Sequence, residues 1–167
     1  MPDPLHLSFR LLLCTVLLTS LKAATQQSAN PAQKQSEAEL LSLHKAERRA
    51  HFDHDVQGLL AHIAAQLLDV RDGRVNRMSR ENVRDRFLEY FKRAHFLAWD
   101  DVEPPVVRVS ADGQMGWMIV RVRIAYTETD ASGKKTKQDA VGAWMSAYER
   151  QNGTWIMTAV TSTFERD

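Results

Sequence analysis

His44, Glu47 and His51 stand at i, i+3 and i+7 in the segment SLHKAERRAHFD, so a helix through it carries a carboxyl and two imidazoles in line with Leu40 and Leu43. A carboxylate beside an imidazole can take and return a proton, which makes Glu47 a candidate base with His44 or His51 as its partner. The same spacing also suits a solvated face, with His51 and His54 near the helix C-terminus where cations are favoured. His44, Glu47, His51, His54 and His62 follow no metal-ligand pattern such as H-E-x-x-H, so no metal site is expected. A second group gathers around Arg121 and Arg123, whose forked guanidinium donors suit a carboxylate. With Trp144, Tyr148 and His51 they form the candidate ligand-binding set: an aromatic slot with a cationic end. The alternative for Arg121 is a place at the sheet edge or at an interface, its stem packed on Trp144. No phosphate-binding glycine loop and no nucleophile elbow occurs, and no cofactor is expected.

These residues need elements to hold them. Ser36-Glu37-Ala38-Glu39 reads as a capping box opening a first helix that runs to about Phe52. Asp55 caps a short second helix, Asp72-Gly73 turns a small hairpin, and Ser79 caps a third helix bearing Val83, Phe87, Tyr90 and Phe91. From Val106 the apolar period becomes two, with turns at Asp112-Gly113, Ser132-Gly133 and Asn152-Gly153. A two-residue turn at Asn152-Gly153 places Tyr148 opposite Met157 and Trp144 opposite Thr161. The same treatment of Ser132-Gly133 places Val120 opposite Met145 and Arg121 opposite Trp144. Both faces of such a sheet are apolar; three helices can cover one, and a second copy of the chain is expected on the other. No Asp or Glu falls beside Arg121 in this register, so an anionic ligand is expected to complete its site.

The chain of 167 residues has 22 Lys+Arg, 21 Asp+Glu and one Cys. Near-neutral charge without a basic block argues against nucleic acid, and one thiol excludes an internal disulfide framework. Leu11 to Leu21 is an uncharged run of 11 residues after Arg10, short for a membrane span and suited to a signal-peptide core. We therefore expect a signal peptide over 1–23, a flexible linker over 24–35 and a folded domain over 36–167, secreted or periplasmic, with no membrane anchor after cleavage. Leu12-Leu13 before Cys14 does not suit a lipoprotein site.

The order of AHFDHD, Asp72-Gly73-Arg74-Val75 before Ser79, Gly113 to Trp117 and Asn152-Gly153-Thr154-Trp155 resembles the nuclear transport factor 2-like superfamily, in its SnoaL-like and domain-of-unknown-function branches. The resemblance runs from about Leu40 to Phe164. It implies an α+β, cystatin-like fold in which a cone-shaped, curved antiparallel sheet wraps around N-terminal helices, the first helix bordering a cavity. It also matches Arg121 to an arginine that lines the cavity in some members. Many relatives carry an acidic pair after the second helix, where this chain has Ala65-Gln66, and a histidine on the last strand, where Ala159 and Thr161 stand. Those differences favour a small-molecule-binding module for an anionic, partly apolar ligand. A cofactor-independent isomerase, dehydratase or hydrolase using Glu47 and His51 is the alternative.

Overall fold

The computed structural model describes residues 30–165. The expected signal peptide and residues 24–29 of the expected linker lie outside them. The elements are α1 (Pro31–Asp53), α2 (Val56–Leu60), β1 (Ile63–Arg71), β2 (Arg74–Ser79), α3 (Arg80–Arg93), β3 (Ala94–Asp101), β4 (Val106–Val109), β5 (Met115–Thr129), β6 (Lys135–Gln151) and β7 (Thr154–Phe164). One curved, unclosed sheet runs in the order β2-β1-β7-β6-β5-β3, with β4 also paired to β5, and the fold is α+β. All pairs are antiparallel except β1 with β7, which run parallel. Among the described residues no helix is long and apolar enough to cross a membrane.

Helix α1 begins six residues earlier than the Ser36 capping box predicts, so positions 31–35 are helical and not linker. Asn30 forms the box instead: its side chain accepts from the Gln33 amide at 2.8 Å while Gln33 accepts from the Asn30 amide at 3.1 Å, and Pro31 occupies the first helical position. Ser36 is buried and accepts from Arg150 at 3.1 Å. Arg150 also meets Glu39 at 2.6 Å and lies over the Trp155 ring, whose indole N–H donates to the same Glu39 carboxylate. This network ties α1 to the end of the sheet. Asp55 and Ser79 cap α2 and α3 as expected, accepting from the Gly58 and Asn82 amides.

The Asn152-Gly153 turn sets the expected pairs as far as Tyr148 opposite Met157, Asn152 and Gly153 both taking positive φ, at 50° and 82°. Beyond Tyr148 the register shifts. Thr158 has no partner across the ladder, Ala147 faces Ala159, and Trp144 faces Ser162 instead of Thr161. The β5–β6 connection is also longer than expected, with Thr129 pairing Lys135. Asp130 builds that loop by accepting from the Ser132 amide at 2.8 Å and the Lys134 amide at 3.0 Å. Val120 therefore opposes Trp144, and Arg121 opposes Ala143.

This one-residue change decides which side chains meet. The inner face now carries Met118, Val120 and Val122 with Trp144, Ser146 and Tyr148, while Arg121 and Arg123 share the outer face with Trp117, Ile119 and Met145. Leu40 of α1 is fully buried against the inner face, where a Cβ at Gly116 would lie 2.9 Å from its Cδ1.

Candidate functional site

Between α1, α3 and the inner sheet face lies a cavity of about 700 Å³. That volume falls in the range of small-molecule sites. Its walls are mostly apolar, with Leu59, Met78, Phe87, Tyr90, Trp99 and Trp144 among them. Exposure grades along β6. Tyr148 and Ser146 are buried, Gln138 is half-buried and Ala140 exposed, so the cavity has a closed end at Tyr148 and an open end at Gln138.

Helix α1 projects Glu47 and His51 into this space, one turn apart. The Glu47 carboxyl receives no hydrogen bond from the described residues. Glu47 is half-buried and lines the cavity, and burial raises its pKa above the usual carboxylate value, against the lowering influence of His44. His51 lies in an aromatic cage, stacked on Trp99 at 3.8 Å with the Phe91 and Phe96 ring edges at 5.7 and 5.4 Å. Its Nδ1 donates to the Glu47 carbonyl at 2.8 Å, which leaves Nε2 as the lone-pair nitrogen. Burial, aided by His54, lowers the His51 pKa to about 4 despite that hydrogen bond, so the ring is neutral at neutral pH. Burial and the nearby Glu47 carboxyl raise the Tyr148 pKa well above its ordinary value, and Tyr148 is a hydroxyl donor in this site. Ser146 lies beside Tyr148, and Trp99 Nε1 on β3 is buried without a partner. A hydroxyl donor such as Tyr148 near an unpaired carboxyl can hold the oxygen of a bound molecule while a proton moves.

The other expected site residues go elsewhere. His44 is buried outside the cavity lining, with Nε2 2.7 Å from Asp101 of β3, so it does not join Glu47 in the site. Arg121 pairs with Glu165 and Arg123 with Asp139, both on the outer face. Neither arginine lines the cavity; the expected Arg121 pocket is overturned because the longer Asp130 loop reverses its facing. Trp144 and Tyr148 remain, now beside Glu47 and His51. Among the described residues no three His, Cys, Asp or Glu side chains are grouped to hold a metal ion.

No protein-family model matches this sequence, and no curated protein matches it. Solved structures do resemble it. A candidate dehydratase of the NTF2-like family from Streptomyces avermitilis is 13% identical with a TM-score of 0.63, covering 80% of this chain and 99% of its own. An NTF2-like protein of unknown function in nutrient uptake from Rhodospirillum rubrum is 18% identical with a TM-score of 0.60, covering 76% and 98%. The association domain of the C. elegans kinase CaMKII is 12% identical with a TM-score of 0.55, covering 80% and 99%. The fold is NTF2-like.

In this NTF2-like cone one charged group stands that no motif in the sequence announces. Asp69 on β1 is 2% exposed and lines the cavity with Arg71 and with Arg86 of α3. Arg86 belongs to a mixed-sign helical series that reads as a solvated face, and Asp69 sits between Leu68 and Val70 as a surface residue would. The available signal was the Leu67, Asp69, Arg71 alternation on one strand face.

Proposed function

We propose that the cone binds a small, largely apolar molecule and that Glu47 exchanges a proton with it, as a cofactor-independent acid–base catalyst of the isomerase, dehydratase or hydrolase type. The observation that carries this reading is an unpaired Glu47 carboxyl in an apolar cavity, its pKa raised by burial, one helical turn from a neutral His51. A raised carboxyl pKa suits a group that must both take and return a proton near neutral pH. The likeness to a candidate dehydratase agrees with it. The experiment is solvent-deuterium exchange at the α-carbon of β-tetralone, an apolar bicyclic ketone. The wild-type chain is expected to exceed Glu47→Gln by about a hundredfold, the lower bound for a positioned general base. Equal rates with tetralone bound to both overturn proton transfer and leave binding alone. Binding without chemistry is the second reading, and it is favoured by the His51 hydrogen bond to the Glu47 backbone instead of its carboxyl.

Two further parts of the reading rest on other features. Delivery to a secreted or periplasmic location rests on the Leu11 to Leu21 run. Self-association through the outer sheet face rests on Trp117, Ile119 and Met145, which stand 37%, 41% and 41% exposed on adjacent strands. Sedimentation of the folded domain at micromolar concentration is expected to give twice the monomer mass, and Ile119→Glu to return it to a monomer.

A further inference from the structure

The side of the cavity between β1 and α3 holds a set of charges that acid–base chemistry at Glu47 does not use. Asp69 accepts from Arg71 through both oxygens, Nε at 3.0 Å and Nη2 at 2.6 Å, which spends the fork of that guanidinium. Arg86 approaches the same carboxylate only to 3.6 Å, and its other contact is the Met78 sulfur at 3.9 Å. Two guanidinium groups thus share one carboxylate. The neighbouring charges are matched: Arg93 pairs with Glu128 and Lys92 with Glu89. Glu47, the remaining carboxyl in the lining, has His44 and no arginine as the charged neighbour that lowers its pKa. One positive charge is left over at the rim. Arg86 carries it on a side chain that is 53% exposed yet lines the cavity, so it is free to turn toward a ligand.

We propose that Arg86, positioned by the Asp69–Arg71 pair, is an anion subsite at the solvent-exposed edge of the cavity between β1 and α3, and that the ligand is an amphipathic monocarboxylate. Its apolar body lies along the Phe87, Tyr90 and Trp144 walls and its carboxylate meets the uncompensated guanidinium. One negative charge balances the rim, and an apolar body matches the aromatic walls. A cationic ligand of the same shape is repelled. Asp69 acts through the arginines and is a positioning residue.

This inference rests on the reading that the cavity binds a small molecule, and the test separates the two. Decanoate, decanol and decyltrimethylammonium are titrated against the full chain by tryptophan fluorescence, since Trp99 and Trp144 lie in the wall. Decanoate is expected to bind about tenfold more tightly than decanol, as a partly solvated charge-assisted hydrogen bond gives. Raised salt is expected to weaken decanoate alone, and the cation is expected to bind least. Arg86→Gln is expected to abolish the decanoate preference and leave decanol unchanged, while Arg86→Lys keeps part of it. Circular dichroism confirms that both variants fold. Equal binding of decanoate and decanol by the wild type, or a preference that survives Arg86→Gln, overturns the anion subsite and leaves the cavity reading standing. Failure of all three probes to bind overturns the cavity reading itself.

Discussion

Acidification from neutrality to pH 4 destabilises a Glu47→Gln variant by about 3 kcal/mol relative to the same variant carrying His51→Leu. The folded-state pKa of His51 is about 4 against an ordinary 6.5, and each pH unit of that interval is worth about 1.36 kcal/mol. Between these two values the unfolded chain binds a proton on His51 and the folded chain refuses it. The unfolded state therefore binds more protons, and stability is full above 6.5 and falls as the pH is lowered toward 4. Glu47 acts in the opposite sense. Its pKa is raised in the fold, so the folded chain takes that proton first, and the stability this contributes is lost as the pH rises through the folded value. The Gln variant removes the opposing contribution and exposes that of His51. It is also expected to be more stable than the wild type at neutral pH, because no buried carboxyl has to ionise. Urea denaturation across this pH range measures both effects. Parallel profiles for the two variants would mean that His51 is protonated as easily in the cage as in water.

Leu40→Ala lowers stability by about 3 kcal/mol, within the range for a large-to-small change at a fully buried site. Gly116→Ala, though it adds one methyl group, lowers it by about 1–3 kcal/mol through overpacking. The new Cβ would sit 2.9 Å from Leu40 Cδ1 and 3.2 Å from the Arg108 carbonyl oxygen. The leucine can rotate; the carbonyl, held in the β4–β5 ladder, cannot. In the double variant the leucine clash vanishes and the added methyl fills part of the space left behind. The combined loss is therefore expected to be smaller than the two single losses together by about 1 kcal/mol. A double-mutant cycle in urea reads this coupling, and strict additivity would place the two side chains out of contact.

What the sequence displays depends on how local the cause is. Asp55, Ser79 and the Asn152-Gly153 turn act on amides two or three residues away, and each does in the fold what its spacing implies. The Glu47 and His51 pair follows in the same way from helical periodicity, since both belong to one helix. The β5–β6 register depends instead on which Asp130 amide contacts close the loop, and that choice moves Arg121 to the outer face. β3 is concealed by the same kind of irregularity. Leu97 is unpaired between Phe96 and Ala98, so the alternation in AHFLAWDD breaks before it can be recognised. Asp69 and Arg86 meet only because β1 and α3 border the same cavity, and no spacing of 17 positions announces such a meeting. His44 shares the α1 stripe with Glu47, but Asp101 captures it, a partner on a strand the sequence conceals.

The unpaired Thr158 is a residue that β7 can lose without changing the cavity wall. Before it Met157 points inward; after it Val160, Ser162 and Phe164 do so. Loss of that single residue would restore strict alternation with Ala159 alone between Met157 and Val160, and would keep Val160, Ser162 and Phe164 on the cavity side. The bend that an extra residue puts into a strand would go, and the side chains that line the cavity would stay. Length variation at this bulge therefore reshapes the curvature of β7 while the chemistry of the wall it presents is preserved.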